Sequence, residues 1–390
     1  MVDANRPVGA RPQTAIRPRG NTHSPAPVER RCSSDTEDVA LGVTEDPVYD
    51  IGGEENSCCG ISTGGSHLTA ASSSPVSSNF FRPAGLKCVN TLSGHHAGVR
   101  TITVHNERIF TGSYDNTIKV WNLDSATCEA TLEGHTAWIR SLLTHGRDPL
   151  LFSGSDDGLI RVWRIDTFKL LHELRHESPQ DQQQEPCGGI LSLAMDHDRN
   201  WLLAGSYCAT IFVWALPSYS LLHRLRGHRS AVRTLIVYNS CLLSGSYDRT
   251  VKLWDLGGDC KSLGSLGTKG SVWVLVVHDG LLIAAIGDSS IKVWRVDTWE
   301  QVATLSGHRG LVLALAVYHD RLISGSDDRC IRVWRLHTWE CERILTGHNG
   351  GVVGICMVNG NLVSASNDSF IKVWNSSGIQ RPFTSTGIRR

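Results

Sequence analysis

Apolar and polar positions along the chain alternate in short runs that are typical of β-strands. In residues 231–238, 241–246 and 250–254, β-branched, aromatic and other apolar residues form runs separated by clusters of Asn, Asp, Gly and Ser. The turn at residues 247–249 is short enough for a tight hairpin. A fourth run with the same character occupies residues 127–132 in an earlier copy of the unit. The pattern therefore predicts small sheets of four strands.

The same unit recurs seven times, and its most regular position is a tryptophan. The seven copies are Trp121, Trp163, Trp214, Trp254, Trp294, Trp334 and Trp374. Their intervals are 42, 51 and then four of 40 residues, and a fixed period in this range is the signature of a repeat architecture. One four-stranded sheet cannot bury its own faces, so we expect seven sheets packed radially in a closed ring.

A second recurring feature is a Gly-His pair that precedes the first strand of five copies. The histidines of these pairs are His95, His135, His228, His308 and His348. Together with the tryptophan period, the pairs resemble the WD-repeat family over about residues 86 to 375. The resemblance implies an all-β fold, a seven-bladed WD-repeat β-propeller, here preceded by a disordered N-terminal tail.

The two ends of the repeat region indicate how the ring closes. After Trp374 no alternating fourth strand follows, whereas residues 87–95 repeat the spelling of residues 127–135 without a blade of their own. We therefore predict that residues 86–92 form the outer strand of the last blade, an arrangement that WD-repeat propellers commonly use. The predicted domains are a low-complexity tail at 1–85, the propeller at 86–375 and a short tail at 376–390.

The repeats contain Ser, His and Asp, the residue types of a nucleophile, base and orienter set. An Asp precedes the tryptophan by six residues in six units, at Asp115, Asp157, Asp248, Asp288, Asp328 and Asp368. A hydroxyl precedes it by ten in five, at Thr111, Ser153, Ser244, Ser324 and Ser364. A catalytic site is needed once, whereas this set recurs in blade after blade, so we predict no enzyme. The resemblance implies a buried network of His, Ser or Thr, Asp and Trp.

Two units lack parts of this set together. The unit of Trp214 has Ala204 and Cys208 at the hydroxyl and Asp positions, and the unit of Trp294 has Ala284 and no Gly-His pair. Because a half-satisfied buried network is worse than none, grouped losses favour the network interpretation. We expect these two blades to be the least rigid.

Composition changes this picture little. The chain has 390 residues, net charge zero and 41% hydrophobic residues, enough for one propeller and an appendage. Apolar runs are too short to span a membrane and no secretory signal is present, which predicts a cytoplasmic protein, with the nucleus as an alternative. The twelve cysteines include no CxxC pair and are expected to be buried free thiols. We expect no metal and no cofactor, and no small-molecule substrate.

Residues 1–85 are rich in Pro, Ser, Gly and Thr and poor in large apolar residues, which predicts disorder. Charge is segregated within them, since residues 1–31 carry six Arg and residues 35–55 carry eight acidic residues. Neither an F-box nor a zinc-binding spacing occurs in the tail.

A propeller's binding residues lie at its mouth, and the resemblance implies two positions in each unit. The first, just after the first apolar residue of the inner strand, reads Arg100, Arg140, Leu191, Arg233, Trp273, Leu313 and Val353. The second, before the turn Asp, reads Tyr114, Asp156, Tyr207, Tyr247, Gly287, Asp327 and Asn367, and Trp138 joins the same surface. Aromatic residues and arginines are typical of binding hot spots, and Arg matches carboxylate or phosphate.

We therefore expect the mouth to bind an acidic or phosphorylated peptide. The alternative is that Arg100, Arg140 and Arg233 pair with Asp156, Asp327 or neighbouring loops. An insertion of about ten residues within 177–187 is acidic and contains Ser178-Pro179, so it is either a gate that folds over the arginines or a plain flexible loop.

Three function classes remain open. The units are similar to the propellers of F-box/WD substrate receptors and of the WD-repeat member of the tumour-necrosis-factor-receptor-associated factors. A protein-binding scaffold for signalling is favoured, the substrate-recognition subunit of a ubiquitin-ligase complex is the first alternative, and an RNA- or ribosome-associated propeller is the second. Residues 86–390 carry 31 basic and 28 acidic residues, a small excess that makes binding to a nucleic-acid backbone unlikely.

Overall fold

Seven four-stranded antiparallel sheets make up the structure, a computed structural model that describes residues 86–176 and 188–375. The sheets are the blades of a propeller, numbered here from the blade that begins at residue 99. No helix occurs within the two described ranges. The seven-bladed all-β fold that the repeat period predicts is confirmed.

Each blade has an inner, a second, a third and an outer strand. The inner strands are β2 (Val99–His105), β6 (Ile139–Thr144), β10 (Ile190–Asp196), β14 (Val232–Tyr238), β18 (Val272–His278), β22 (Val312–Tyr318) and β26 (Val352–Val358). The second strands are β3 (Arg108–Ser113), β7 (Leu150–Ser155), β11 (Trp201–Ser206), β15 (Cys241–Ser246), β19 (Leu281–Ile286), β23 (Arg321–Ser326) and β27 (Asn361–Ser366). The third strands are β4 (Ile118–Asn122), β8 (Leu159–Arg164), β12 (Thr210–Ala215), β16 (Thr250–Asp255), β20 (Ile291–Arg295), β24 (Ile331–Arg335) and β28 (Ile371–Trp374). The outer strands are β1 (Cys88–Leu92), β5 (Thr127–Leu132), β9 (Leu170–Arg175), β13 (Ser220–Arg226), β17 (Ser262–Gly267), β21 (Gln301–Leu305) and β25 (Cys341–Leu345).

The turn between the second and third strands is held by the aspartate that the repeat supplies. In blade 4, Asp248 Oδ1 accepts hydrogen bonds from the backbone N–H and the hydroxyl of Thr250, at 2.9 and 2.6 Å. These bonds hold Arg249 between them in the left-handed region, with φ of 66°. An aspartate side chain that mimics a backbone turn in this way allows a residue other than glycine to adopt a positive φ.

The hydrophobic core is divided into seven clusters, and each cluster lies between two consecutive blades. Between blades 1 and 2, for example, Phe110 and Ile118 pack against Leu151 and Trp163, and all four are at most 3% exposed. Since each sheet buries its faces only against its neighbours, a blade is stable only within the ring.

Ring closure joins the two ends of the repeat region. The last blade has the strand order β1, β28, β27, β26, so its outer strand comes from the beginning of the repeats. Thr91 pairs with Lys372 and Leu92 with Ile371, and Leu92 is 1% exposed. The amide of Asn375 adds a hydrogen bond of 3.0 Å to the carbonyl of Lys87.

The two predicted tails, at 1–85 and 376–390, and the insertion at 177–187 lie outside the described residues. The prediction that every cysteine is buried is wrong for Cys88, Cys128 and Cys341, which are exposed free thiols on outer strands.

An aromatic residue follows four of the tryptophans by five positions, at Phe168, Tyr219, Trp299 and Trp339, and this spacing predicts the first residues of outer strands. The prediction is wrong, because all four residues lie in the turns that precede those strands, with φ between 55 and 61°. All four pack against the inter-blade clusters and so cap the blade edges.

Candidate functional site

The mouth of the propeller opens where the inner strands begin, above a central cavity of about 240 Å³. The first set of predicted residues lines this cavity in all seven blades: Arg100, Arg140, Leu191, Arg233, Trp273, Leu313 and Val353. The structure therefore brings the three arginines together around one opening.

A β-bulge places these residues. In every inner strand the register shifts between the first and third residues, so the second residue has no partner on the neighbouring strand. An extra residue in a strand bends it locally and re-aims its side chain. The side chain at the bulge is turned toward the cavity in each blade, which the alternation of apolar residues in the sequence does not reveal.

The second set of predicted residues borders the same opening. The backbone amide of each donates to the carbonyl of the residue that precedes the inner strand, with N to O distances of 2.8 to 3.1 Å. The donors are Tyr114, Asp156, Tyr207, Tyr247, Gly287, Asp327 and Asn367. These bonds tie the turn after the second strand to the start of the inner strand, which brings both predicted sets to one rim.

Arg140 is held by a carboxylate. Its Nε lies 2.9 Å from both Asp156 oxygens, and its second terminal nitrogen lies 2.8 Å from Oδ2. Three aromatic rings surround the guanidinium, at 5.0 Å for Trp138, 5.8 Å for Tyr207 and 5.9 Å for Tyr114 from Cζ to the ring centroid. Such a forked ion pair within an aromatic cage fixes the side chain. Arg140 therefore pairs with a neighbouring carboxylate, as the alternative interpretation of the mouth arginines expects.

Arg100 and Arg233 have different surroundings. Arg100 is only 8% exposed, and within the described ranges no carboxylate oxygen lies within 4.0 Å of either guanidinium. The Nε of Arg233 is buried without a hydrogen-bond acceptor among those residues. Its Cζ lies 5.4 Å from the ring of Trp273, which in turn packs at 5.3 Å against Tyr247. The buried Arg100 and the half-buried Arg233 therefore face the cavity without a carboxylate partner among the described residues.

Two predicted residues are less constrained. Trp138 is 37% exposed and contacts Tyr114 at 4.5 Å, so it offers a rigid apolar surface at the rim. Asp327 is half-buried on blade 6, and no cationic nitrogen of the described chain lies within 4.0 Å of its carboxylate.

Sequence reasoning missed a run of hydroxyl residues just below the mouth. Thr101, Ser141, Ser192 and Thr234 follow the bulged residues of blades 1 to 4 and line the cavity. The signal was available, because each of these residues stands one position after a predicted mouth residue. In a regular strand, consecutive side chains point to opposite faces, so the alternating pattern predicts only one of each pair at the cavity. The bulge allows both consecutive residues to reach the cavity wall.

The Ser, His and Asp sets form the buried network that the resemblance implies. In blade 4, the indole N–H of Trp254 donates to Ser244 Oγ at 2.8 Å, Ser244 lies 2.7 Å from His228 Nε2, and His228 Nδ1 lies 2.7 Å from Asp248 Oδ2. Because the hydroxyl accepts from the indole, its own hydrogen can donate to Nε2 while Nδ1–H donates to the carboxylate. Blades 1, 2, 6 and 7 have the same arrangement.

Electrostatics of the network follow from its hydrogen bonds. Burial raises the pKa of Asp368, but the bonds from His348 and from backbone amides outweigh this effect and lower it to about 2. Burial lowers the pKa of His308 below its usual value although Asp328 opposes the shift. Ser244 is 0% exposed and its hydroxyl is engaged on both sides, so the hydroxyl belongs to the blade's structure.

The described residues lack two other kinds of site. Within residues 86–176 and 188–375, no group of His, Cys, Asp or Glu has an arrangement that could hold a metal ion. The same residues include no helix of the length and apolarity needed to cross a bilayer.

Comparison with protein families gives a repeated match to one description. The sequence model of "WD domain, G-beta repeat" matches residues 86–122, 126–164, 179–215, 219–255, 299–335 and 339–375. These matches together cover more than half of the chain. Residues 256–298, which contain the first three strands of blade 5, are not matched.

Curated proteins match shorter stretches. Pre-mRNA-splicing factor PRP46 of Debaryomyces hansenii is 42% identical over 69 residues, 17% of this chain and 16% of that protein. Cell division control protein 4 of Saccharomyces cerevisiae is 44% identical over 55 residues, 14% of this chain and 7% of that protein. WD repeat-containing protein VIP3 of Arabidopsis thaliana is 27% identical over 163 residues, 40% of this chain and 51% of that protein. The chain thus matches at most about half the length of these relatives.

Proposed function

The chain belongs to the WD-repeat family, and from this membership we propose that it is a non-enzymatic protein-interaction scaffold whose mouth binds acidic or phosphorylated segments of partner proteins. Propellers of this family generally serve as scaffolds for other proteins. The ligand class is inferred from the mouth of this particular chain.

The observation that carries the proposal is the state of Arg100 and Arg233. A buried cation without a counter-ion is unfavourable, and its cost is relieved when an anion with matching acceptors binds. Both guanidinium groups line the central cavity, and neither has a carboxylate partner within the described residues. A carboxylate or phosphate accepts two parallel N–H bonds from a guanidinium, so an anionic side chain fits this position.

Arg140 contributes in another way. Since Asp156 already occupies Nε and one terminal nitrogen of Arg140, a ligand anion that formed a forked pair with these two donors would have to displace that carboxylate. We assign Arg140 the role of holding Tyr114, Trp138 and Tyr207 in place around it. These rings, with Tyr247 and Trp273 beside Arg233, supply the rigid aromatic area that dominates the affinity of many interfaces.

A second candidate is a role in an assembly that processes RNA. It is favoured by the relatives from three yeasts that are named pre-mRNA-splicing factors and are 41 to 43% identical over 63 to 69 residues. In this role the propeller would bind a protein of the assembly, or RNA itself. The substrate-recognition subunit of a ubiquitin ligase remains a further hypothesis, as do the cytoplasmic location and the nuclear alternative.

The proposed function can be tested by affinity capture with quantitative mass spectrometry. We compare the wild-type chain, the double variant Arg100→Gln/Arg233→Gln and the control Arg164→Gln, whose side chain is 49% exposed at the far end of the third strand of blade 2. Each is used with untreated, phosphatase-treated and ribonuclease-treated lysate. We expect one set of partners to be lost both in the double variant and after phosphatase.

Partners that survive in the double variant and after phosphatase would refute binding of anionic segments at the mouth. Partners lost only after ribonuclease would select the RNA-processing role. A ligase subunit retained by the double variant, with its companions lost, would select the substrate-receptor role.

A further inference from the structure

Blade 5 contains a buried donor that its own residues do not engage. Trp294 is 4% exposed, and no acceptor among the described residues bonds its indole N–H. The strand register is the same in blades 4 and 5, so Ala284 stands where Ser244 accepts the indole N–H of Trp254 at 2.8 Å. A buried donor without an acceptor is costly, and a ligand that supplies the acceptor relieves that cost.

The aspartate of the same blade is open on one side. The side chain of Asp288 is 42% exposed, whereas the aspartates of the complete networks are 6 to 11% exposed. Its Oδ1 accepts from Ser290, and within the described chain its Oδ2 accepts only from Lys292 Nζ, at 3.1 Å. In blade 4 the corresponding oxygen accepts from the imidazole of His228 and from the amide of Arg229.

The loop that contains the histidine in other blades does not reach this carboxylate. Six positions separate the last leucine of β17 from the first valine of β18, against seven between β21 and β22. Thr268 Oγ1 lies 2.8 Å from the carbonyl of Arg249 and 2.7 Å from that of Gly270, so its hydroxyl is engaged within the loop. A Cβ at Gly267 would meet no atom within 4 Å, whereas one at Gly227 would meet the tryptophan of blade 4 at 3.1 Å. The shorter loop therefore leaves space beside it.

Blade 3 also lacks the hydroxyl, but its space is filled. The indole N–H of Trp214 likewise has no acceptor among the described residues. Phe212 packs against this indole at 5.8 Å and against the ring of His176 at 4.6 Å, between ring centroids. Blade 3 has Cys208 at the aspartate position, so it offers no carboxylate. An unengaged indole N–H and an open carboxylate occur together in blade 5 alone among the described blades.

The five complete blades show which chemical group fits between an aspartate and an indole. In each of them an imidazole Nδ1 lies 2.7 to 2.9 Å from the aspartate, and Nε2 lies 2.7 to 2.8 Å from the hydroxyl. A neutral imidazole can donate to Asp288 Oδ2 and accept from the indole N–H of Trp294 through its other nitrogen. A carboxylate would face Asp288, and an ammonium has no acceptor for the indole.

Lys292 must release Asp288 for such a ring to bind, and the chain offers its ammonium a second acceptor. Lys292 pairs with Thr304 across the third and outer strands. The equivalent pair in blade 1 is bonded, since Lys119 Nζ donates to Thr131 Oγ1 at 2.9 Å, and blade 7 repeats this bond at 3.3 Å. The rearrangement of Lys292 thus follows a geometry that the same chain already adopts twice.

We propose that blade 5 binds the neutral imidazole ring of a histidine that a partner protein presents. The ring completes from outside the network that this blade lacks. The inference goes beyond the proposed function, because Asp288, Lys292 and Trp294 are not among the residues that line the central cavity. The two proposals therefore stand or fall separately.

The test measures hydrogen exchange of the full chain with 4-methylimidazole, the side-chain analogue of histidine, at alkaline pH, where the ring is neutral. Pyrrole is the control compound, because its ring donates but has no second nitrogen to accept. We expect 4-methylimidazole to slow exchange in β19 and β20 by about threefold and to leave β15 and β23 unchanged, since those blades contain their own histidine. Pyrrole should have no effect on any of these strands.

Variants of blade 5 test the two contacts. Ala284→Ser restores the hydroxyl and should tighten binding of 4-methylimidazole by about tenfold, the effect of one added hydrogen bond. Asp288→Asn should abolish binding, and Asp297→Asn, at an exposed carboxyl of the same blade, should not change it. His308→Gly in blade 6 is the positive control, because the same compound should restore protection in β23.

The source of the ring is tested with peptides and with the chain itself. A short peptide with a central histidine should protect β19 as 4-methylimidazole does, and the same peptide with phenylalanine should not. His23 and His67 lie in residues 1–85. If His23→Gln/His67→Gln lowers the protection of β19 without added ligand, the chain supplies the ring and the partner source is wrong.

Two results would overturn the imidazole site. One is restored protection of β23 in His308→Gly with no change of β19 in either wild type or Ala284→Ser. The other is equal protection of β19 by pyrrole and 4-methylimidazole, which would mean that the indole N–H does not bind the ligand. Either result leaves binding at the mouth unaffected.

Discussion

Blades 1, 2, 4, 6 and 7 contain the complete network of His, hydroxyl, Asp and Trp, whereas blades 3 and 5 do not. All seven nevertheless form four-stranded sheets with the same strand order. The network is therefore not required to specify a blade. Packing forms the blade, and the network then fixes the turn, the inner strand and the tryptophan to one another within it.

The two exceptional blades compensate differently. In blade 3, Ala204 replaces the hydroxyl, and Phe212 packs against His176 at 4.6 Å and against Trp214 at 5.8 Å, so aromatic contacts replace polar ones. In blade 5, Asp288 keeps its turn but binds Ser290 and Lys292 in place of a histidine. Where the hydroxyl is absent, the aspartate is thus either absent as well, as in blade 3, or paired with other donors, as in blade 5, as expected from the cost of an unpaired buried group.

Closure of the ring should contribute more to the free energy of unfolding than the network of any one blade. Removing residues 86–92 takes away the buried side chain of Leu92 and leaves β28 as an open edge. We expect the free energy of unfolding to fall by about 4 kcal/mol relative to a chain that begins at residue 86. Denaturant unfolding of both chains measures the difference, and equal midpoints would show that the ring closes without this strand.

Removing the network aspartate from a complete blade should have the next largest effect. Asp248→Ala leaves the donors of His228, Arg229 and Thr250 without an acceptor, and we expect it to cost about 3 kcal/mol. The matched change in blade 5, Asp288→Ala, should cost about 1 kcal/mol, because that carboxyl is 42% exposed and water can replace it. Chemical denaturation measures both, and equal costs would remove the distinction between the two kinds of blade.

Hydrogen exchange followed by mass spectrometry tests the rigidity of the intact chain. The amides of β11 and β19, in the blades without the network, should exchange about tenfold faster than those of β15 and β23. Ring closure is the same for all four strands, so the comparison isolates the network. Exchange in β11 and β19 as slow as in β15 and β23 would mean that packing alone sets local stability.

Acid should weaken the complete blades more than blade 3, and this is the smallest expected effect. The pKa of His308 is lowered in the folded protein, so its stabilising contribution is present above its unfolded value of 6.5 and is lost as the pH falls. The pKa of Asp368 is lowered to about 2, so its contribution is present above 3.8 and is lost as the pH approaches 2. Both shifts have the same sign.

We therefore expect protection in β23, corrected for intrinsic exchange rates, to fall by about threefold more than in β11 between pH 7.5 and pH 4.5, whereas the contribution of Asp368 to β27 should be lost only below pH 3.8. Blade 3 has Cys208 where the others have Asp, and so provides the reference within the same molecule. A uniform loss of protection across all blades would instead indicate global acid unfolding.

The fold and the network could be predicted from the sequence because each repeat contains all the residues that specify both. Trp254, Ser244, Asp248 and His228 occupy fixed places within one unit, and hydrogen bonds between strands of one blade follow from those places. The positions that line the mouth could be predicted for the same reason, since the ring repeats whatever each unit specifies.

What only the tertiary structure decided is which of these mouth residues are engaged. Arg100, Arg140 and Arg233 occupy equivalent places in their units, yet only Arg140 has an aspartate beside it at the next turn and aromatic rings from two neighbouring blades around it. The bulge that aims these side chains and exposes the hydroxyls beneath them disturbs the two-residue alternation by which strands are recognised. Side-chain pairing across blades depends on distances between residues far apart in the chain, and a repeat pattern contains the unit but not those distances.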